Sequence, residues 1–597
     1  MAFNWSPGII GHSAFAERET YAAKFDTEKG PVIRVWEFDR FNYSTWQVDV
    51  LVQDNIVWMH PTITNPHETE LPAYWWTCVA NFARGKDRFI SPATGTGQTE
   101  AGPLRYSTWP YMAGVLNSTF KGGNGEWQID HSFMENIVWG DFFVDVPKEA
   151  DKWVQLTNED GYSVFHGHPN EGSKIFVWGS NANSRFMQRF LANFPEGDQE
   201  DSGNYVELQT GLMKTQSQQA RIPAAKGDGQ PGRREWTEYF VAWVATDEER
   251  DILRGDPYTN AVNLTNDRAH ELIPQTLRDS MDNFFKSIST REIVQSEIIS
   301  YGSQWGALHN MIWEQTGKQP SGKNTPFFFN ADGKPDLDAK PWYDLVKIGT
   351  FSPDTLASIP SSFQVGEIWK QQLEQSMIQY GATWLHLFHL SVIEMEKGGV
   401  TIAKNLLRQS LGLKETPHAY RSLALLSQNE QEALPLLYKA WECALKIDSK
   451  VVNRDRLVYY LGSEIISYLQ QAGLKNLPGF RRELITFMGT QAIRDVVPKD
   501  LATTDQFITA QVAVALWTND PQTALDILND KSKNCFPTYG RQRSELIAYW
   551  NQANIALEQA KIGRTLTLAE QRNVRMNKPQ NRRIGCPYSE WYCLNYW

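Results

Sequence analysis

Cysteine is scarce in this sequence of 597 residues, and it follows no pattern. The five cysteines are an odd number without CxxC spacing: Cys78, Cys443, Cys535, Cys586 and Cys593. Such a set predicts neither a disulfide framework nor a zinc site. We therefore expect a reducing compartment, and we predict no metal and no cofactor.

Basic blocks and long apolar runs are also missing. The formal net charge is −11, whereas nucleic-acid binding needs clustered cations. No window approaches the roughly 18 uncharged apolar residues of a membrane span. Residues 1–15 lack the basic-then-apolar order of a signal peptide. We expect a soluble, cytoplasmic protein whose partners include neither nucleic acid nor a membrane.

Tryptophan, by contrast, is abundant. The chain has 23 tryptophans, about three times ordinary usage. We expect most of them in cores and interfaces, because an indole buries a large area. Flat indoles are also the usual platforms for the apolar faces of sugar rings.

Up to about residue 245 the pattern is that of short strands. Runs rich in β-branched and aromatic residues alternate with polar residues and are separated by turn-rich spacers. The predicted strands are 32–38, 46–52, 56–63, 74–79, 142–146, 163–166, 174–178, 205–210 and 236–244. Many short strands at this spacing predict an antiparallel sandwich or barrel.

Beyond residue 246 apolar residues recur three and four positions apart, which predicts helices. The predicted helices are 248–254, 272–285, 291–301, 369–377, 384–395, 424–447, 457–471, 481–493 and 507–528. From residue 402 to 561 helical pairs follow one another roughly every 30 to 40 residues, as in a helical-hairpin solenoid.

Three blocks along the chain resemble a known family. They run from Pro72 to Thr77, from Lys174 to Gly179, and from Tyr205 to Gly211. Together with Gly11-His12-Ser13 and the segment 302–308, they resemble the domain of unknown function numbered 5107, over about residues 4–560. The chain departs from that family at Cys78, where an asparagine is usual, and at Asn4-Trp5-Ser6, where Glu-Trp-Asn is usual.

The resemblance implies a galactose-mutarotase-like β-supersandwich followed by tetratricopeptide-like (TPR-like) helices, in a carbohydrate-active protein. We therefore predict an α+β multidomain chain with an N-terminal antiparallel β-supersandwich and a C-terminal all-α helical-repeat domain. The predicted boundaries are 1–245 for the β-supersandwich with its carbohydrate site, 246–365 for a helical linker, 366–565 for the TPR-like domain and 566–597 for an extended tail.

The strand predicted at 205–210 carries the main candidate site. Alternation places Tyr205, Glu207 and Gln209 on one face and apolar residues on the other. A carboxylate between a phenol and an amide suits sugar hydroxyls, and Lys174 and Gln216 are further candidate hydroxyl ligands. A solvated sheet face is the alternative interpretation.

Cleavage of a glycosidic bond needs two carboxyl groups. Glu207 is the first candidate, because partial burial would suit it to an acid role. Glu68, Glu70 and Asp141 compete as its partner. We choose Glu70, which directly precedes the tryptophan block; a solvated loop carboxylate is the alternative.

Ring opening and closing by an epimerase-like site would instead pair a carboxylate base with a histidine acid. His12, His166 and His168 are available, and His168 is our catalytic candidate. Each could equally be a structural histidine.

Trp76 and Trp178 are the candidate stacking residues for a sugar ring. Trp75 and Trp76 would point to opposite faces of a strand, so only one of them can meet a ligand there. The sequence thus predicts a glycoside hydrolase. The alternatives are a non-catalytic carbohydrate-binding scaffold whose helices contact a protein partner or a second copy, and an aldose-epimerase-like isomerase.

Overall fold

A computed structural model of the chain describes residues 19–40, 42–98, 105–113, 128–137, 140–177, 204–216, 218–227, 230–315, 322–330, 332–451, 453–471, 505–530 and 544–575. The chain forms two compact units that divide between Lys334 and Pro335. The boundary therefore falls well after the end of the last long strand, and the first helices belong to the same unit as the strands.

Within its described residues the first unit contains twenty strands. They are β1 Tyr21–Thr27, β2 Gly30–Asp39, β3 Ser44–Gln53, β4 Ile56–Asn65, β5 Leu71–Ala73, β6 Trp76–Ala83, β7 Arg88–Ile90, β8 Gly95–Gln98, β9 Arg105–Thr108, β10 Tyr111–Ala113, β11 Gln128–Asp130, β12 Gly140–Asp145, β13 Trp153–Thr157, β14 Tyr162–Gly167, β15 Gly172–Val177, β16 Asn204–Gly211, β17 Ala220–Ile222, β18 Gly232–Glu235, β19 Glu238–Val244 and β20 Ile298–Ser300.

Two antiparallel sheets dominate this unit. The larger has ten strands in the order β20-β1-β2-β3-β4-β19-β14-β13-β7, with β18 beside β4. The smaller has six, in the order β6-β16-β15-β12-β8-β9. Thr77 of β6 donates a hydrogen bond to Glu238 of β19, so the inner faces of the two sheets meet. The first unit is therefore a sandwich.

The described residues of the first unit also form four helices. They are α1 Asp247–Arg254, α2 Tyr258–Leu272, α3 Gln275–Ile288 and α4 Trp305–Gln315. A capping box at Thr246 and Glu249 starts α1. The prediction of a helix at 291–301 was wrong, because a single 3₁₀ turn there leads into β20, which pairs with β1 at the edge of the larger sheet.

The second unit is helical throughout its described length. Its helices are α5 Lys340–Ile348, α6 Pro353–Ala357, α7 Glu367–Tyr380, α8 Trp384–Glu396, α9 Val400–Leu413, α10 Pro417–Leu425, α11 Glu430–Lys446, α12 Arg454–Gln471, α13 Asp505–Trp517, α14 Pro521–Asn529, α15 Ser544–Ile562 and α16 Leu568–Arg575. From α7 onward each helix packs against the next. Such neighbour-to-neighbour packing is typical of helical repeats.

Several boundaries in this unit differ from prediction. The single helix predicted at 424–447 is interrupted, since the Asn429 side chain caps a new helix start. Asp520 caps α14 in the same way and divides the helix predicted at 507–528. Residues 568–575 are helical, where we predicted an extended tail, and the helix predicted at 481–493 lies outside the described residues.

The predicted fold class is confirmed: an antiparallel β-sandwich is followed by a helical unit. None of the helices in the described segments combines the length and the apolar composition that a bilayer span requires.

Candidate functional site

Strand β16 lies inside the six-stranded sheet, between β15 and β6. Val206 and Leu208 point inward and are completely buried, because they face the larger sheet. Tyr205, Glu207 and Gln209 therefore point to the outer face. We call the outer side chains of β6, β16, β15 and β12 the Glu207 face.

Glu207 is held by its neighbours on the same strand. The Tyr205 hydroxyl donates to Oε1 at 2.9 Å, and Gln209 Nε2 donates to Oε2 at 2.5 Å. Burial, followed by the negative charge of Glu207, raises the pKa of Tyr205, so the phenol keeps its proton and remains a donor. Glu207 itself is 7 % exposed. The carboxyl group is thus fixed in orientation before any ligand arrives.

Lys174 stands beside this row, because it is the register partner of Gln209 on β15. Its Nζ lies 2.6 Å from Asp141 Oδ1 and donates to Gln216 Oε1 at 2.9 Å. The ammonium group also lies over the Phe143 ring, 4.9 Å from its centroid. Lys174 and Gln216, the two further candidate hydroxyl ligands, therefore lie beside the row of Tyr205, Glu207 and Gln209.

Asp141 is the second carboxylate on the same face. Phe176 is the register partner of Glu207 on one side and of Asp141 on the other. Asp141 and Glu207 are therefore two strand spacings apart, which is about 10 Å between their Cα atoms. The sequence analysis gave Asp141 as one of three candidate partners of Glu207. The strand predicted at 142–146 began one residue after it, so the sequence did not place Asp141 in a sheet.

Trp76 closes one end of the Glu207 face. It is paired with Gly211, and an added Cβ there would lie 2.2 Å from the indole. An added Cβ at Gly172 would lie 2.9 Å from the same ring. The indole is therefore packed against two glycines, and its ring centroid lies 5.8 Å from that of Phe143 in an edge-to-face arrangement.

Strand β6 borders this side of the sheet. It is the edge strand of the six-stranded sheet among the described residues. On its outer face Cys78 and Ala80 are exposed, and Phe82 is 45 % exposed. The buried carboxylate of Glu207 is thus bordered by a strand that meets solvent.

Glu70 does not share this position. It lies in the turn before β5 and is exposed, and β5 pairs with β17 in a separate two-stranded sheet. No contact of the described residues brings it to Glu207. Glu70 is close to the tryptophan block in sequence but not to Glu207 in the fold, because β5 pairs with β17 and not with the six-stranded sheet.

His168 lies on the inner side of the same sheet. Its Nε2 is hydrogen-bonded to Ser173 Oγ at 2.9 Å, and Ser173 alternates with Lys174, so it faces the larger sheet. Burial, followed by the charges of His166 and Lys152, holds the pKa of His168 well below its usual value. The sheet thus separates His168 from Glu207. His12 and Trp178 lie outside the described residues.

A second buried carboxylate, Glu238, was missed by the sequence analysis. Its Oε1 accepts hydrogen bonds from Trp236 Nε1 at 2.6 Å, from Thr77 Oγ1 at 3.1 Å and from Asn170 Nδ2 at 3.3 Å. His166 Nε2 lies 3.0 Å from its Oε2, and neither side chain of this pair is exposed. The alternation of Trp236 and Glu238 in a predicted strand was the only sequence signal for this cluster.

Metal ligation has no support in the described parts of the chain, where no group of three or more His, Cys, Asp or Glu side chains is placed to hold an ion. The chemistry available on the Glu207 face is therefore that of two carboxylates, an ammonium group, a phenol and amides. Such groups bind hydroxyls and transfer protons.

Comparison with known proteins gives structural neighbours only. No protein-family profile matches the chain, and no curated protein matches it. Solved structures similar to it include a TPR-domain-containing protein from Parabacteroides distasonis, with 14 % identity and a TM-score of 0.48, covering 92 % of this chain and 76 % of that one.

Two galactose mutarotase-like proteins are also similar to part of the chain. The protein from Clostridium acetobutylicum has 9 % identity and a TM-score of 0.25, covering 38 % of this chain and 67 % of that one. The protein from Lactobacillus casei has 10 % identity and a TM-score of 0.24, covering 37 % and 73 %. Similarities of this size carry no argument about activity.

Proposed function

We propose that the chain binds a carbohydrate on the Glu207 face and hydrolyses a glycosidic bond there. One observation carries this proposal: the hydrogen-bonded row of Tyr205, Glu207 and Gln209 shares a sheet face with the Lys174–Asp141 ion pair. The resemblance of three sequence blocks to the domain of unknown function numbered 5107 points to the same class of chemistry.

In this proposal Glu207 is the general acid. A protonated carboxyl group needs an acceptor, and Gln209 Oε1 is buried without a hydrogen-bond partner among the described residues. Rotation of the amide by 180° would bring that oxygen to Glu207 Oε2, where it would accept a hydrogen bond from a protonated carboxyl group. Gln209 can therefore hold Glu207 in either protonation state.

Asp141 is the general base. Its Oδ1 lies 2.6 Å from the Lys174 ammonium group. Its Cα atom is about 10 Å from that of Glu207, and we place a water molecule between base and sugar, which makes the reaction inverting. Trp76 would stack on a sugar ring, and Gln216 with Lys174 would bind hydroxyls.

The test measures reducing-sugar release and thermal stabilisation of the full chain with a panel of oligosaccharides. We expect Glu207→Gln and Asp141→Asn each to lower the rate by about 10²- to 10⁴-fold while thermal stabilisation by the same sugar persists. Glu70→Gln is the matched control and should behave as wild type. The initial product should have inverted anomeric configuration by NMR.

A non-catalytic carbohydrate-binding protein is the second candidate. Lys174 and Gln209 are both 3 % exposed, and this low exposure favours the second candidate. Buried polar side chains that are hydrogen-bonded to one another are held rigidly, which also suits binding without catalysis. Stabilisation of wild type by a sugar that no preparation cleaves would select this candidate. An epimerase has less support, because the carboxylate–histidine pair of Glu238 and His166 is completely buried.

A further inference from the structure

The first unit contains a cavity of about 370 Å³ beside helix α4. Its wall is formed by one side of α4, by residues 327–330 and by Tyr301, which follows β20. We call it the α4 cavity. Its volume lies within the range of about 300 to 1,000 Å³ that is usual for small-molecule sites.

Two aromatic rings form a corner of the α4 cavity. Tyr301 and Phe328 both line it, and both are partly exposed. Their ring centroids are 6.2 Å apart, and the ring planes lie at 74° to each other. Two walls at this angle contact a compact, rounded group from two sides, whereas a flat group would lie against only one of them.

Tyr21 of β1 holds this corner in place and is itself completely buried. Its hydroxyl oxygen lies 3.0 Å from the carbonyl oxygen of Ser303 and 2.9 Å from that of Phe328, and it accepts a hydrogen bond from the Phe328 N–H at 3.1 Å. Its ring centroid is 6.2 Å from that of Tyr301 and 6.4 Å from that of Phe328. The two rings are therefore positioned before a ligand enters.

Helix α4 brings a carboxylate to the same cavity. Ala307, Met311 and Glu314 line it together, because residues four and three positions apart share one face of a helix. Glu314 is exposed, and it forms no hydrogen bond or ion pair with any of the residues that the structure describes. Its charge is therefore not compensated within the described part of the chain.

Three basic side chains in the segments next to this cavity have other acidic partners. These ion pairs are Arg291 with Glu297, Lys323 with Glu292 and Lys334 with Asp332, at 2.6, 3.4 and 3.1 Å. None of the three neutralises Glu314.

Amide groups complete the described wall. Asn310 and Asn330 line the cavity, and Gln304 Nε2 donates a hydrogen bond to Asn330 Oδ1 at 2.7 Å. That bond sets the orientation of the Asn330 amide. Amides bind hydroxyl and carbonyl groups, so the wall offers contacts to a polar group as well as to the rings.

The combination of rings and a carboxylate favours a cation. The face of an aromatic ring carries partial negative charge and attracts a cation that lies within about 6 Å of its centroid. The thioether of Met311 adds a polarizable contact. A primary ammonium group is strongly hydrated, whereas a nitrogen covered by methyl groups leaves water more readily and also contacts the rings through those methyl groups.

We propose that the α4 cavity binds a small quaternary ammonium compound, with its trimethylammonium group in the corner of Tyr301 and Phe328 and its positive charge beside Glu314. A hydroxyl or carbonyl group elsewhere on the ligand would contact Asn310 or Asn330. The proposal concerns a site whose described residues are separate from the Glu207 face, and it is independent of catalysis there.

The experiment is calorimetric titration of the full chain with choline. The matched probes are 3,3-dimethyl-1-butanol, which has the shape of choline without its charge, and ethanolamine, which has the charge without the methyl groups. We expect choline to bind roughly tenfold more tightly than either probe, because only choline combines charge with contact to the rings.

Three variants locate the site. Phe328→Leu and Tyr301→Leu each replace a ring by an aliphatic side chain and should weaken choline binding roughly tenfold. Glu314→Gln changes an exposed residue, which leaves the fold undisturbed, and should weaken binding several-fold, about 1 kcal/mol or less.

Two control variants make the same changes elsewhere. Phe82→Leu replaces a ring that is 45 % exposed on β6, and Glu292→Gln removes the charge of an exposed carboxylate that is not part of the described cavity wall. Both should bind choline as wild type does.

Four results would overturn the proposal. They are no binding of choline at millimolar concentration; equal affinity for choline and 3,3-dimethyl-1-butanol, which would reveal unspecific apolar binding; unchanged choline binding in all three cavity variants; and equal weakening in the cavity variants and their controls. Binding of acetyl-Nε-trimethyl-lysine amide without binding of choline falls under the first result and would assign the cavity to a methylated side chain of a protein partner instead.

Discussion

Glu207 and Glu238 are two buried glutamates in strands of the same unit, and they differ in their surroundings. Glu238 is completely buried and receives three donors on one oxygen and His166 on the other. Glu207 receives one donor on each oxygen and lies beside the exposed edge strand β6. The first arrangement joins two sheets, whereas the second lies on the outer face of one sheet.

The difference shows that burial alone does not identify a catalytic carboxylate. An ionised group between two sheets is compensated by every available donor, since an uncompensated charge there would be costly. A carboxyl group that acts on a substrate needs a charge that neighbouring donors compensate only in part, and it needs an approach from solvent. By these two criteria Glu207 is the candidate, and Glu238 is a structural residue.

Removal of Glu238 should produce the largest effect. Glu238→Ala leaves the buried donors of Trp236, Thr77 and Asn170 without an acceptor and should lower the free energy of unfolding by about 3–5 kcal/mol. Glu207→Ala removes two contacts at a more accessible position and should cost about 1–2 kcal/mol. Urea denaturation of both variants measures the difference, and equal losses would refute the contrast.

The next largest effect on stability should come from acidification, through His168 on the inner side of the six-stranded sheet. His168 is neutral in the fold because its pKa is held well below the ordinary value of 6.5, so the unfolded chain takes up a proton first. The contribution of neutral His168 to the free energy of unfolding is complete above about pH 6.5. Below that pH it falls by up to about 1.4 kcal/mol per pH unit.

Urea denaturation of wild type and His168→Gln between pH 7.5 and 5 would check this expectation. The variant should lose less stability across that range, because it no longer titrates there. A variant with the same pH dependence as wild type would show that His168 is not held neutral by the fold.

Substitution on the exposed edge should have the smallest effect on stability. Phe82 is 45 % exposed and contacts the Tyr205 ring edge-to-face at 6.3 Å. Phe82→Ala should lower the free energy of unfolding by no more than about 1 kcal/mol. If the sugar extends along β6, the variant should bind long oligosaccharides several-fold more weakly and leave short ones unchanged.

The order of side chains within one strand could be read from the sequence. The period of two placed Tyr205, Glu207 and Gln209 together, and the structure has them on one face. It also separated Trp75 from Trp76, and the structure packs Trp75 against the Trp236 ring and Trp76 against Gly211. Local geometry suffices for such predictions.

Relations between strands could not be read in this way. Asp141 reaches the Glu207 face only because β12 and β16 both pair with β15 in one particular register. His168 lies behind the sheet, hydrogen-bonded to Ser173, whose side chain faces the larger sheet. Register depends on contacts between residues far apart in sequence. Glu70 was chosen because it is close to the tryptophan block in sequence, whereas strand pairing decides which carboxylate lies on the same face as Glu207.

The indole of Trp76 occupies space that exists because positions 172 and 211 have no side chains. The position of the ring is thus set by two missing methyl groups, as much as by the residues that are present. Alanine at either glycine would displace the indole, whereas alanine at position 76 would leave the space beside both glycines unfilled.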